Sequence, residues 1–213
     1  MAAVVNRRVP AGSPRLLRTR AVLAAALVLG VGTTSTLAAW TDSEYGTGSF
    51  TASVFGTESQ TASSAWASHN PVGNAATLAF NATAMSPTDS SYAWIDIRTT
   101  TMTNVDGTVA LTSSSDSSGA LLPVLEYRAV RTPDTGSACS ATAFTGAPTW
   151  IAGPGYLDVT SVPGSPVSSV LTTPDGATPE VRFCFEVRIE AGADNSYQGT
   201  SATVTWEFTA TST

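Results

Sequence analysis

The sequence predicts an all-β protein: a two-sheet antiparallel sandwich, taken as a jelly roll, behind an N-terminal export segment. Three observations predict it. Period-two alternation of apolar and polar residues recurs along most of the chain. Long helical patterns are absent beyond the export segment. Ser, Thr, Ala and Gly dominate, with turn signals between short apolar runs. About eight short strands without helices imply two packed sheets. Periodicity alone does not separate a jelly roll from an immunoglobulin-like sandwich.

The export segment comes first. Arg7, Arg8, Arg15, Arg18 and Arg20 precede an apolar run, Ala21 to Val31; small polar residues follow, Gly32 to Ser35, and then Leu37, Ala38 and Ala39. That order is the order of a secretory signal peptide. A signal peptidase needs small side chains at the residue before the cut and two residues earlier. Thr36 and Ala38 meet that need, so the cut is placed between Ala38 and Ala39. The apolar run is shorter than the roughly 20 residues that span a bilayer, so no stable membrane anchor is expected after cleavage. Residues 1–38 are the expected signal peptide, 39–48 a mature N-terminal tail and 49–213 the sandwich domain of a secreted protein.

The expected mature part holds five arginines, no lysine and 16 acids, so its charge is 5 minus 16, or −11. Such a surface repels nucleic acid and anionic membrane. No nucleic-acid partner is expected.

The first strand is read at Ser49 to Phe55, where Phe50, Ala52 and Val54 share one face. Thr57 to Asn74 is polar and reads as a loop. Ala76 to Phe80 reads as a short strand, and Pro87 with Asp89 as a turn. Tyr92 to Thr103, rich in aromatic, Ile and Thr residues, reads as a strand. Asp106-Gly107 follows it and predicts a hairpin with the return at Thr108 to Thr112, because Asp-Gly suits a type I′ turn. Val124 to Arg131 is the next strand, followed by weaker candidates at Thr149 to Ile151 and Tyr156 to Val159. Pro163 to Gly176 reads as a surface excursion. Glu180 to Glu190 alternates with Val181, Phe183, Phe185, Val187 and Ile189 inward. Ser201 to Thr211 alternates with Ala202, Val204, Trp206, Phe208 and Ala210 inward. These two strands are expected at the centre of the core, joined as a hairpin through Gly192 to Gly199.

Two cysteines in an exported protein suggest one disulfide, Cys139 with Cys184. A closed loop of about 45 residues would stabilise the fold by about 4 kcal/mol in the chain-entropy model. Cys184 faces away from Phe183 and Phe185, so Cys139 must approach from the outer side. The single histidine, His69, sits in a polar stretch with no motif marking a nucleophile, and reads as a solvated loop residue. No HExxH and no phosphate-cradling glycine loop are present. Asp106, Asp116, Asp175 and Asp194 lack calcium-loop spacing and read as turn residues. No catalytic residue, metal site or cofactor is expected, and the protein is read as a non-enzyme.

The sequence resembles the TasA and camelysin group of secreted bacterial proteins, whose signal peptides are handled by a SipW-type signal peptidase. Ala38-Ala39-Trp40-Thr41-Asp42 is similar to the group's cut site, and Tyr45-Gly46-Thr47-Gly48-Ser49-Phe50 to its mature start. Pro87 and Asp89, with Asn104 and Gly107, resemble its turn and Asn-x-Gly pair. Asn195-Ser196-Tyr197-Gln198-Gly199-Thr200-Ser201 resembles its closing segment. The resemblance implies a jelly roll and fibres of the cell surface or biofilm matrix. It also implies self-association in which one subunit's N-terminal segment joins a neighbour's sheet. On that expectation Ala39 to Gly48 is the donor strand, Trp40 its anchor beside Tyr45, and Gly46 and Gly48 its hinge. The alternative is a monomeric sandwich that binds carbohydrate or a surface protein, with Trp66, Trp94 and Trp150 as stacking platforms.

Overall fold

The computed structural model describes residues 14–31, 42–80 and 84–213. The chain divides into two compact units, Met1–Phe50 and Thr51–Thr213. In the first, helix α1 spans Pro14–Val31. Ala and Leu, strong helix formers, fill it, and proline suits its first position, where an N–H has no intrahelical partner. Among the described residues no helix is long and apolar enough to cross a membrane. Ala38, Ala39 and Trp40 lie outside the described residues. Residues 42–50 have no regular structure and are exposed.

The second unit is a sandwich of two antiparallel sheets. Its strands are β1 (Thr57–Thr61), β2 (Ser90–Thr99), β3 (Gly107–Ser118), β4 (Leu125–Arg131), β5 (Thr149–Asp158), β6 (Ser169–Leu171), β7 (Glu180–Ile189) and β8 (Thr203–Ser212). One sheet runs β1-β2-β7-β4-β5 and the other β6-β3-β8. In a full eight-stranded jelly roll, the second, seventh, fourth and fifth strands lie side by side, and the last strand sits between the first and the third. The chain keeps that order with one change: β1 pairs with β2, and among the described residues β8 is flanked by β3 alone.

The core lies between the sheets. Val181, Phe183, Phe185, Val187 and Ile189 of β7 are all buried, as their alternation predicts. Phe183 stacks on Phe208 at 4.8 Å between ring centroids, and Phe185 meets Trp206 at 4.8 Å. Tyr127 packs beneath Phe185 and Trp206, and its hydroxyl donates to the Ser161 carbonyl at 2.9 Å.

Several local expectations are corrected. Residues 49–55 form no strand; the first one is Thr57–Thr61, in a stretch read as loop. Its TESQT sequence has no apolar period. It is held by five-residue pairing with β2 and by a salt bridge from Arg98 Nε to Glu58 Oε1 at 2.7 Å. Residues 76–80 form no strand either. Asp106-Gly107 is not a hairpin turn, because β2 and β3 belong to different sheets. Gly107 lies where a Cβ would come within 2.5 Å of the Thr211 carbonyl oxygen, so the glycine serves close approach to β8. β7 and β8 likewise lie in opposite sheets and form no hairpin. β7 is central, but β8 is an edge strand. The two weak candidates near Thr149 and Tyr156 are one irregular strand, β5, and the excursion from Pro163 contains β6.

Candidate functional site

The site is built from what surrounds β8. Thr205 N–H donates to Ser117 Oγ on the β3 side at 3.4 Å, and Thr213 N–H donates to the Asp106 carbonyl at 2.9 Å. In an extended strand the N–H and C=O of one residue point the same way, and the next residue's point oppositely. Odd-numbered residues of β8 therefore bond β3. Val204, Trp206, Phe208 and Ala210 turn their side chains to the core and their N–H and C=O groups to the open edge. Among the described residues no other strand pairs with that edge.

The other edges are defended. β1 is short, and Ser59 and Ala67 exchange both backbone hydrogen bonds beyond it, at 3.0 and 3.1 Å. β6 has three residues. β5 is broken by Gly153, with φ +144°, by Pro154, which has no N–H, and by register shifts against β4. β8 has ten residues without proline or glycine. Its register shifts against β3 place the extra residues on β3, so β8 itself stays regular.

Beside β8 a groove of about 1400 Å³ opens between the sheets. Met85, Leu78, Phe80, Trp206 and Phe208 give it apolar walls, and Glu58 and Glu207 also line it. Phe80 meets Trp206 at 6.3 Å between ring centroids, and Trp206 Nε1 is buried without a hydrogen-bond partner.

The N-terminal segment completes the picture. Tyr45 and Phe50 are 93% and 97% exposed. Gly46 and Gly48 are exposed with them. Val54 is tied to Asn104: its N–H donates to Asn104 Oδ1 at 2.8 Å and its carbonyl accepts from Asn104 N–H at 3.0 Å. The sequence marks residues 49–55 as strand-like, yet among the described residues they have no strand partner.

The remaining expected residues fall elsewhere. Cys139 and Cys184 form the disulfide, with Cα atoms 5.4 Å apart, on the outer face of the five-stranded sheet. They sit in a small cluster with Val130 and Phe144. On the same face Glu186 accepts from Arg128 Nε at 2.7 Å, Ser90 Oγ at 2.6 Å and the Tyr156 hydroxyl at 2.8 Å. Burial works to raise the Glu186 carboxyl, but these hydrogen bonds and the Arg128 charge outweigh it and hold the group below its usual range. Arginine covers a face of each expected sugar platform: Arg98 over Trp66 and Arg182 over Trp94, both at 4.1 Å, and Arg128 over Trp150 at 5.6 Å. His69 is not simply solvated: its Nδ1 hydrogen-bonds Ser59 Oγ at 2.9 Å. Among the described residues no carboxylate hydrogen-bonds that imidazole, and no group of three His, Cys, Asp or Glu side chains converges as metal ligands. Alternation revealed the inward face of β8. That β8 is an edge was missed, because the same alternation arises in a central strand.

No protein-family model matches the chain, and no curated protein matches it.

Proposed function

We propose that the chain is an exported structural subunit that builds extracellular fibres by strand donation, as the resemblance to TasA and camelysin proteins implies. One observation carries the reading: among the described residues, the outer edge of β8, a regular ten-residue strand, carries no partner strand and runs along an apolar groove. Unpaired N–H and C=O groups on such an edge favour addition of an extended segment, with alternate side chains filling pockets. The donor is the mature N-terminal segment, from the cleaved Ala39 through Trp40, Tyr45 and the Gly46–Gly48 hinge. The unpaired 49–53 stretch adds Phe50 as a second apolar anchor. Export through a signal peptidase agrees with the disulfide, which belongs to an oxidising compartment. Donation from one copy to the next does not close on itself, so it gives a filament.

The test compares chains that begin at Ala39 with chains that begin at Val54, by electron microscopy and sedimentation. Fibres are expected from the first and monomers from the second. Equal polymerisation of both would overturn strand donation.

A further inference from the structure

Among the described residues, two segments alternate like strands yet pair in no ladder, and one long regular edge carries no second strand. The first is the exposed N-terminal stretch. The second is 76–80, and it already lines the groove beside β8. Its burial alternates as a strand's would: Ala76, Leu78 and Phe80 are half-buried, and Thr77 and Ala79 are exposed. Phe80 packs against Trp206 and the main core cluster.

Its backbone is weakly held. Thr61 Oγ1 donates to the Thr77 carbonyl at 2.7 Å, Thr77 N–H donates to Ser64 Oγ at 3.3 Å, and Phe80 N–H donates to the Leu78 carbonyl at 3.2 Å. None of these bonds reaches β8. The segment thus fills apolar space while, among the described residues, the edge hydrogen bonds of Val204, Trp206, Phe208 and Ala210 stay unclaimed.

We propose that 76–80 is a resident plug, with Phe80 as its stopper, which an incoming strand from a second copy displaces from the β8 groove. The inference rests on the strand-donation reading. The exchange is favourable because the plug contributes side-chain burial and a few local hydrogen bonds, none of them to β8, whereas a donor strand adds a backbone ladder along that edge. The plug keeps the free subunit's groove from gathering other apolar segments before a donor arrives. It also sets a barrier to assembly, since Phe80 must leave before the donor seats.

The test uses the chain that begins at Ala39. Phe80→Ala should assemble faster than wild type by about tenfold, the equivalent of about 1.4 kcal/mol removed from the displacement step. A second measurement needs no variant. Chymotryptic cleavage after Leu78 and Phe80, mapped by mass spectrometry, should be faster in wild-type fibres than in wild-type subunits. If Phe80→Ala fails to fold, the cleavage pattern decides. Fibres that form at the wild-type rate in Phe80→Ala, or that protect Phe80 as well as the subunit does, overturn the plug and leave strand donation standing. Absence of fibres from every form overturns both.

Discussion

Glu186 shows what a single side chain does for this sandwich. It points from β7 to the outer face, is 2% exposed, and holds Arg128, Ser90 and Tyr156 together across the sheet. A carboxyl held below its unfolded range stabilises the fold above about pH 4, and that contribution is lost as pH falls through the folded value. Glu186→Gln leaves the Arg128 guanidinium without its counter-charge and should cost about 3 kcal/mol near neutral pH. The difference from wild type should begin to shrink below about pH 4, where the unfolded chain takes up the proton, and should close only once pH has fallen through the lower folded value of Glu186. Urea unfolding of both proteins at neutral and acid pH checks the sign and the size. At this scale the sequence was informative about direction. Cys184 opposite Phe183 and Phe185 required Cys139 to arrive from outside, and the disulfide lies there. It was silent about company: nothing in the order of residues announces that Glu186 meets Ser90 and Tyr156, which come from other strands.

Among the elements, β8 is the most exposed to consequence. Ala210 turns its N–H to the open edge, and proline is tolerated in a strand only where its missing N–H faces outward. Ala210→Pro should keep the subunit folded, at a cost on the order of 1 kcal/mol, and should stop fibre formation. Thr209→Pro removes a hydrogen bond to β3 instead and should destabilise the subunit more. Thermal melts by circular dichroism and sedimentation of both variants check the pair. The strands that alternate with large apolar residues, β2, β4, β7 and β8, were legible because one buried face writes a period of two into the sequence. Pairing was not legible. Asp106-Gly107 and the turn-rich 192–199 stretch both looked like hairpin connections, yet each carries the chain from one sheet to the other. β1 escaped notice because an edge strand held by hydrogen bonds and an ion pair needs no apolar residues. Residues 49–55 misled in the opposite sense: alternation reports a face suited to burial, not the chain that supplies the burial.

For the whole molecule, the decisive feature is how unequal its edges are. The kink at Gly153-Pro154 removes β5 as a landing place, and the Ala67 bridge removes β1. Under the strand-donation proposal each subunit would have a valence of two, one giving end and one receiving end, and growth would be linear and unbranched. Such a chain can be terminated like any polymer. A subunit that begins at Val54 receives and cannot give, so a small proportion added to full mature protein should shorten fibres in dose-dependent fashion, as lengths in electron micrographs will show. Ala210→Pro gives and cannot receive, and should cap the opposite end. Gold-labelled versions of the two terminators should decorate different ends of the same fibre, making its direction visible.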